Sequence, residues 1–291
     1  MRLARFRLPG GTSGFGVVAG DVIVRLDQRV GSFEQLLADP VAPSPDDPTI
    51  PLDDIDWLPP VGDHPKIVCV GFNYPSHASE AERGPAQDAP THPTLFTRFP
   101  DSLVGAGAPV VRPAGEDSLD WEGEAALVIG RPGRRIPPEE AWSHIAGVTC
   151  LAENSVRTWQ LHSTQAAAGK NWPGSGAAGP WLTSTDELGD GPLRVTTRLN
   201  GDLVQDDTTD RLTFQFADLV AYVSTFTPLR PGDLIATGTP RGIGYRMDPP
   251  RFLRPGDVLE VEVSGVGVLR NGVVDEVAQD RVPQPVGRAA R

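Results

Sequence analysis

The sequence predicts an α+β, β-rich fold, with one large β-domain behind a small N-terminal β-containing unit. Three observations predict it. Apolar runs of strand length, closed by glycine, proline or polar clusters, recur at residues 66–72, 123–130 and 145–152. Two-strand patterns flank turn signals at Ala19-Gly20-Asp21 and Asn200-Gly201. The last hundred residues read mostly as strands, with one helical pattern at residues 213–225.

At 291 residues the chain can bury a substantial core, and one large domain plus a small one is the natural division. The boundaries read as 1–62 for the small unit and 63–278 for the large domain, with a disordered tail at 279–291. The composition, 39% hydrophobic and 22% charged, is that of a soluble globular protein, and a cytoplasmic one is expected. No apolar run reaches membrane-spanning length, and a net charge of −12 argues against nucleic acid or an anionic membrane as partner. Cys69 and Cys150 both sit in apolar runs and read as buried thiols.

In order, residues 15–26 read as a hairpin and Ser32 caps a short helix at 33–37. A Pro/Asp-rich stretch from 39 to 60 serves as linker and edge. The strand at 66–72 opens into a loop that becomes a helix capped by Ser76. On it His77 and Glu80, three apart, share a face, so the carboxylate can orient the imidazole as a general base; an ordinary surface pair has the same spacing. Residues 83–90 have the composition of a mobile loop beside that pair. A strand at 93–100 carries Arg98, and the strand at 145–152 empties into the polar patch 153–160, which turns into a helix. Residues 174–179 match G-x-G-x-x-G, yet Pro180 follows where a helix should start, so they read as a loop and not a dinucleotide site. Pro231-Gly232-Asp233 and Pro255-Gly256-Asp257 are repeated turn-plus-strand devices. Between them the glycine-rich loop 236–244 exposes backbone N–H groups that could bind an anion, although its composition suits a plain loop better.

Two features carry chemistry. Asp120, Glu122 and Glu124 alternate along one strand, about 6.6 Å apart, which crowds negative charge on one face. A hard divalent cation relieves such crowding, although a solvated acidic strand end shows the same spacing. Lysine occurs only at Lys66 and Lys170 in a chain otherwise rich in arginine, which singles out Lys170 in Gly169-Lys170-Asn171.

Taken together, these stretches resemble the fumarylacetoacetate hydrolase family over roughly residues 60–275: 66–74 with His77 and Glu80, 96–100, 120–130, 155–160, Gly169-Lys170, 179–182, Asn200-Gly201 and 235–244, in the family's order. The resemblance implies a mixed β-sandwich roll, usually a homodimer, with a divalent cation held by three carboxylates: Mg²⁺ foremost, Mn²⁺ or Ca²⁺ otherwise. Glu122 and Glu124 match two of the ligands, and Glu153 stands where the family has an aspartate. Ala152 and Thr158 also depart from the pattern around it, and Asp120 falls beside the ligands. His77 and Glu80 match the water-activating dyad. Lys170, Arg157 and Gln160 match enolate and substrate contacts, Thr239 a substrate-carboxylate contact, and Arg98 a position often held by lysine. The implied function is hydrolysis of a C–C bond in an acylpyruvate-like or 1,3-dicarbonyl acid through an enolate. Alternatives on the same scaffold are a decarboxylase, isomerase or hydratase of a 2-oxo acid, or an enzyme repurposed for cyclisation or rearrangement; a binding protein without catalysis is a further one.

Overall fold

The computed structural model describes residues 1–81 and 90–277. Most of the loop expected at 83–90 and the tail from 279 onward lie outside the described residues. A twelve-stranded mixed sheet and a five-stranded sheet sandwich the main core.

The central strand of the large sheet, Gly123–Ile129, is buried along its whole length. Its residues alternate faces as a strand must. Ala125, Leu127 and Ile129 join the core shared with the five-stranded sheet, while Ala126 and Val128 face a second core under helix Phe33–Ala38. This explains why the run reads as continuously apolar rather than alternating. It pairs antiparallel with Ile145–Ala152 on one side and with Leu234–Ala236 on the other. Leu234–Ala236 in turn pairs parallel with Ile67–Gly71, which carries Thr94–Arg98 at the sheet edge.

The N-terminal residues form the expected hairpin, Ser13–Ala19 with Val22–Arg25, and Ser32 Oγ caps its helix by accepting the Gln35 N–H. The first strand, Arg2–Arg7, pairs with Gly176–Ser184, so this unit extends the large sheet and covers what would otherwise be an open edge. The Asn200-Gly201 hairpin also forms, with both residues at positive φ as a type I′ turn requires.

Three local expectations are corrected. Residues 174–179 are not all loop: from Gly176 on they open a nine-residue strand, Gly176–Ser184, wedged between Arg2–Arg7 and Ile145–Ala152. Its small residues look like loop in sequence because there is no room for larger ones: a Cβ on Gly176 would lie 2.8 Å from Arg98 Nη1 and 2.9 Å from the Ala152 carbonyl oxygen. The long helix starts at Phe216, not 213, behind a capping box of Gln215 and Asp218. The helix carrying His77 starts at Pro75, which already has a helical φ and no N–H to satisfy, so Ser76 lies inside it and bonds Asp207 instead of capping.

Close approach makes Gly147 a sensitive position, since a Cβ there would sit 2.1 Å from the Thr183 carbonyl oxygen on the neighbouring strand. Gly147→Ala is expected to cost about 3 kcal/mol, because backbone and not a flexible side chain must move. Chemical denaturation checks this; an unchanged midpoint would mean the strands can part locally at no cost.

Candidate active site

The acidic stretch is not one continuous strand. Leu119–Asp120 pairs with Ser155–Val156, the fully buried Trp121 anchors the bend through Nε1–H to the Gly242 carbonyl, and the long strand begins at Gly123. The bend separates Asp120 from its neighbours. Asp120 accepts from Arg157 Nε at 2.8 Å and from the backbone N–H groups of Gly244 and Tyr245 at 2.8 and 3.1 Å. Burial pushes its carboxyl up despite these donors, and Arg157 is the strongest influence in the other direction.

Glu122 and Glu124 instead converge with Glu153, which follows the strand Ile145–Ala152. One ligand oxygen from each lies within 4.8 Å of the others, and all three are buried. Register brings them together: Gly123 pairs with Ala152, and the Glu153 N–H donates to the Glu122 carbonyl at 2.8 Å. Cations surround the cluster. Arg98 Nε donates to Glu153 Oε1 at 2.8 Å. Arg157 Nη1 lies 2.7 Å from Glu122 Oε1. Lys170 Nζ bonds Glu153 Oε2, the Glu153 carbonyl at 3.0 Å and Glu122 Oε2 at 3.1 Å.

The electrostatics single out Glu124. Burial disfavours the charged form of Glu122, but Arg157, Lys170 and His77 outweigh it and hold its carboxyl below the usual range. Glu124 is pushed well up, first by burial and then by the charges of Glu153 and Glu122. Among the described residues it has no ion pair; its Oε2 accepts only the Gly238 N–H, at 2.7 Å. Three converging carboxylates, one uncompensated, fit a hard divalent cation. The Lys170 ammonium, drawn onto two of them, marks where positive charge is wanted.

Glu122 and Glu124 open onto a cavity of about 240 Å³, and Glu153 lies behind its wall. Glu122, Glu124, Arg157, Gln160 and Lys170 line its polar end, with Phe72, Phe96, Leu161, Ile243 and Tyr245 around the rest. His77 is on the wall, buried, with Nδ1 3.5 Å from Glu80 Oε2. Glu80 is held by the Gly242 N–H. The Phe72 ring stacks on the imidazole at 5.5 Å between centroids, aimed there by a positive φ that is uncommon for a bulky residue.

Arg98 was expected at the substrate, but the structure places it behind Glu153. Its guanidinium is fully buried, absent from the cavity wall, and engaged with Glu153, the Asn154 carbonyl and Ser102 Oγ. Thr239 is on the wall, yet its hydroxyl donates to the Gly123 carbonyl and accepts from Gln205. The glycine loop, for which a plain loop and an anion site were both open, spends its N–H groups on the chain's own carboxylates, Glu124 and Glu80. Sequence reasoning missed Gln205, which ties Gly123, Thr239 and Pro240 together from the neighbouring hairpin, and Ser155, which donates to Glu122 at 2.6 Å. Only a three-dimensional partner distinguishes either from ordinary polar residues. No helix of the described residues is long and apolar enough to cross a membrane.

A mixed β-sandwich whose central strands end in a buried carboxylate triad, ringed by cations at a small cavity, is the architecture of an enzyme that handles a small molecule with a divalent ion. Residues 66–274 match the family described as fumarylacetoacetate hydrolase, C-terminal, and residues 1–60 match the Rv2993c-like N-terminal family. The chain belongs to the fumarylacetoacetate hydrolase family, whose enzymes depend on a divalent metal. It is 38% identical over 230 residues to the human mitochondrial oxaloacetate tautomerase FAHD2A, covering 78% of this chain and 72% of that one. The structure of fumarylacetoacetate hydrolase from Exiguobacterium antarcticum superposes with a TM-score of 0.82 at 31% identity, over 95% of this chain and all of that one. Maleylpyruvate hydrolase from Sphingobium sp. SYK-6, in complex with manganese(II) and pyruvate, gives 0.76 at 29%, over 94% and 99% of the two chains.

Proposed function

We propose that the protein is a divalent-metal-dependent enzyme that takes a small 2-oxo or 1,3-dicarbonyl acid through an enolate, and that keto–enol isomerisation of a 2-oxo acid is its reaction. The observation that carries this is the placing of the Lys170 ammonium and the Arg157 guanidinium against the carboxylate triad, on the wall of one cavity. Glu122, Glu124 and Glu153 would hold the ion, which supplies Lewis acidity to the substrate carbonyl. In isomerisation the C3 proton passes to water, the C3–H electron pair becomes the C2=C3 bond, and the carbonyl oxygen takes up the charge and then the proton that the water returns. Lys170, on the cavity wall, would donate to that developing charge. Gln160, whose oxygen is taken by Arg157 at 2.8 Å, has its amide nitrogen left to donate. Arg157 is the group suited to the substrate carboxylate. The name of the 38% identical tautomerase supports this reading over simple hydrolysis.

The second reading, C–C bond hydrolysis, is favoured by one observation: a buried His77–Glu80 pair on the cavity wall. His77 would take a proton from water, whose oxygen bonds to the acyl carbon. The C–C bond then breaks, and its electron pair passes to the same stabilised enolate.

Chelator-stripped protein is expected to lose activity on oxaloacetate, followed by enol absorbance, and to regain it with Mg²⁺ or Mn²⁺. Full turnover by protein shown to hold less than one metal ion per hundred chains, roughly the detection level needed to exclude a 10²-fold contribution, would overturn the metal-dependent reading.

A further inference from the structure

Arg157 and Gln160 stand at the two ends of a four-residue helix whose N-cap, Val156, supplies no side-chain hydrogen bond. A single helical turn does not hold itself, because nucleation fixes several residues for one bond. What fixes this turn lies on its outer face. Glu116 Oε2 accepts from Thr158 Oγ1 at 2.7 Å, and Glu116 Oε1 accepts from Trp159 Nε1 at 2.6 Å. Both oxygens of one carboxylate thus grip the two residues between Arg157 and Gln160. Ser118 adds to the grip: its Oγ accepts the Thr158 N–H at 3.1 Å and its carbonyl accepts the Arg157 N–H at 3.0 Å. Glu116 itself is absent from the cavity wall.

The brace has a footing and a reach. Residues 113–118 join the strand Val110–Arg112 to Leu119–Asp120 and are tied to the end of the strand Gly267–Asp275. Arg112 donates from Nε to Asp275 at 2.6 Å and from Nη1 to Asp117 at 2.8 Å, and the Ala114 N–H donates to Glu276 at 2.9 Å. On the other side, the Trp159 ring meets Trp172 edge to face, with 5.0 Å between centroids. Trp172 follows the helix Ala167–Lys170, which is pressed onto the turn: a Cβ on Gly169 would lie 2.5 Å from Gln160 Cβ. A shift of the turn therefore carries Arg157 and Gln160 with it and pushes on the helix of Lys170.

We propose that Glu116 is a positioning residue, whose two-pronged carboxylate sets where Arg157 and Gln160 meet the substrate. The proposal rests on the reading of those two side chains as substrate contacts. Thr158, one of the positions at which the chain departs from its family's pattern, suits the brace, since a hydroxyl can donate to Glu116 whereas a carboxylate at 158 would set a second negative charge against it. Misplacing a binding group by about 1 Å can cost about 10²-fold in rate. Hydrogen bonds on the outer face therefore act on the site with more leverage than their own strength suggests.

The test is steady-state enolisation of oxaloacetate by the full-length protein supplied with Mn²⁺, with the dissociation constant of pyruvate measured alongside by calorimetry. Glu116→Leu removes both acceptors. It is expected to raise KM and the pyruvate dissociation constant by about tenfold or more, since Arg157 would hold the acid group in substrate and transition state alike. The fall in kcat, through Gln160, should be smaller. Glu116→Gln keeps one acceptor oxygen and should restore part of the loss. Gly147→Ala, destabilised elsewhere in the sheet, should leave KM unchanged, because lost stability lowers the folded fraction and not the affinity of what stays folded. An equal rise of KM in Gly147→Ala would reduce Glu116 to general stability and overturn the proposal. Unchanged KM and pyruvate affinity in folded Glu116→Leu overturn it outright. Should Glu116→Leu not fold, Thr158→Val, which removes one prong and keeps the shape, decides by the same two constants. Wild type that binds pyruvate without turning over oxaloacetate leaves the pyruvate constant to decide; wild type that does neither overturns the reading of the site itself and the proposal with it.

Discussion

Lys170→Met is expected to slow enolisation of a 2-oxo acid by about 10²–10³-fold, the usual cost of removing one preorganised donor from a developing oxyanion. Methionine is chosen because it roughly fills the same buried space, stacked above Phe96, without the ammonium. The same substitution leaves Glu122 and Glu153 facing each other without the charge that now bridges them. Removing one partner of a buried ion pair costs about 3–5 kcal/mol, so the metal-stripped variant should melt well below stripped wild type. Added Mn²⁺ should close most of that gap, since a ligand of the native state alone stabilises by mass action. Rates and melting curves together separate the two roles. A variant that keeps wild-type turnover would remove Lys170 from the chemistry, and a stripped variant of undiminished stability would remove it from the charge balance.

The fold was legible wherever a local signal and the tertiary pairing agree. The run 125–129 is apolar at every position because both of its faces are covered, and Asn200-Gly201 turns a hairpin because both residues accept positive φ. It was illegible where packing overrode composition. Residues 176–184 carry glycine, alanine and proline, which spell loop locally, yet form a central strand because Arg98 and the neighbouring backbones leave no room for side chains.

The site divides in the same way. Glu122, Glu124, Glu153, His77, Glu80, Arg157, Gln160 and Lys170 could be named from residue types in a recognised order, and the structure gathers them at one place. Their orientation could not be named. That Asp120 turns toward Arg157 depends on the bend at Trp121, and that Arg98 backs Glu153 depends on which face of an edge strand meets the loop after 152. The glycine loop 236–244 makes the point most clearly. Its donors were recognisable, but whether they serve a ligand or the chain's own carboxylates is decided by a strand and a helix more than a hundred residues away.

His77→Ala separates the two reactions this site can run. Hydrolysis needs a base to deprotonate water, and a positioned general base contributes about 10²–10⁴-fold. Cleavage of an acylpyruvate should therefore fall by that factor. Isomerisation, whose largest demand is charge stabilisation at the carbonyl oxygen, keeps Lys170, Gln160 and Arg157 and should change by less than about tenfold. The comparison is sharpened by Glu80→Gln, which keeps a side-chain acceptor near Nδ1 but removes the carboxylate charge beside the imidazole. It should reproduce a partial loss in cleavage and leave isomerisation alone. Equal loss of both reactions in His77→Ala, with the fold intact by melting, would show that the imidazole moves a substrate proton and not one from water. His77 would then be the base of the isomerisation itself, and its place on the cavity wall, not the triad, would decide which carbon is deprotonated.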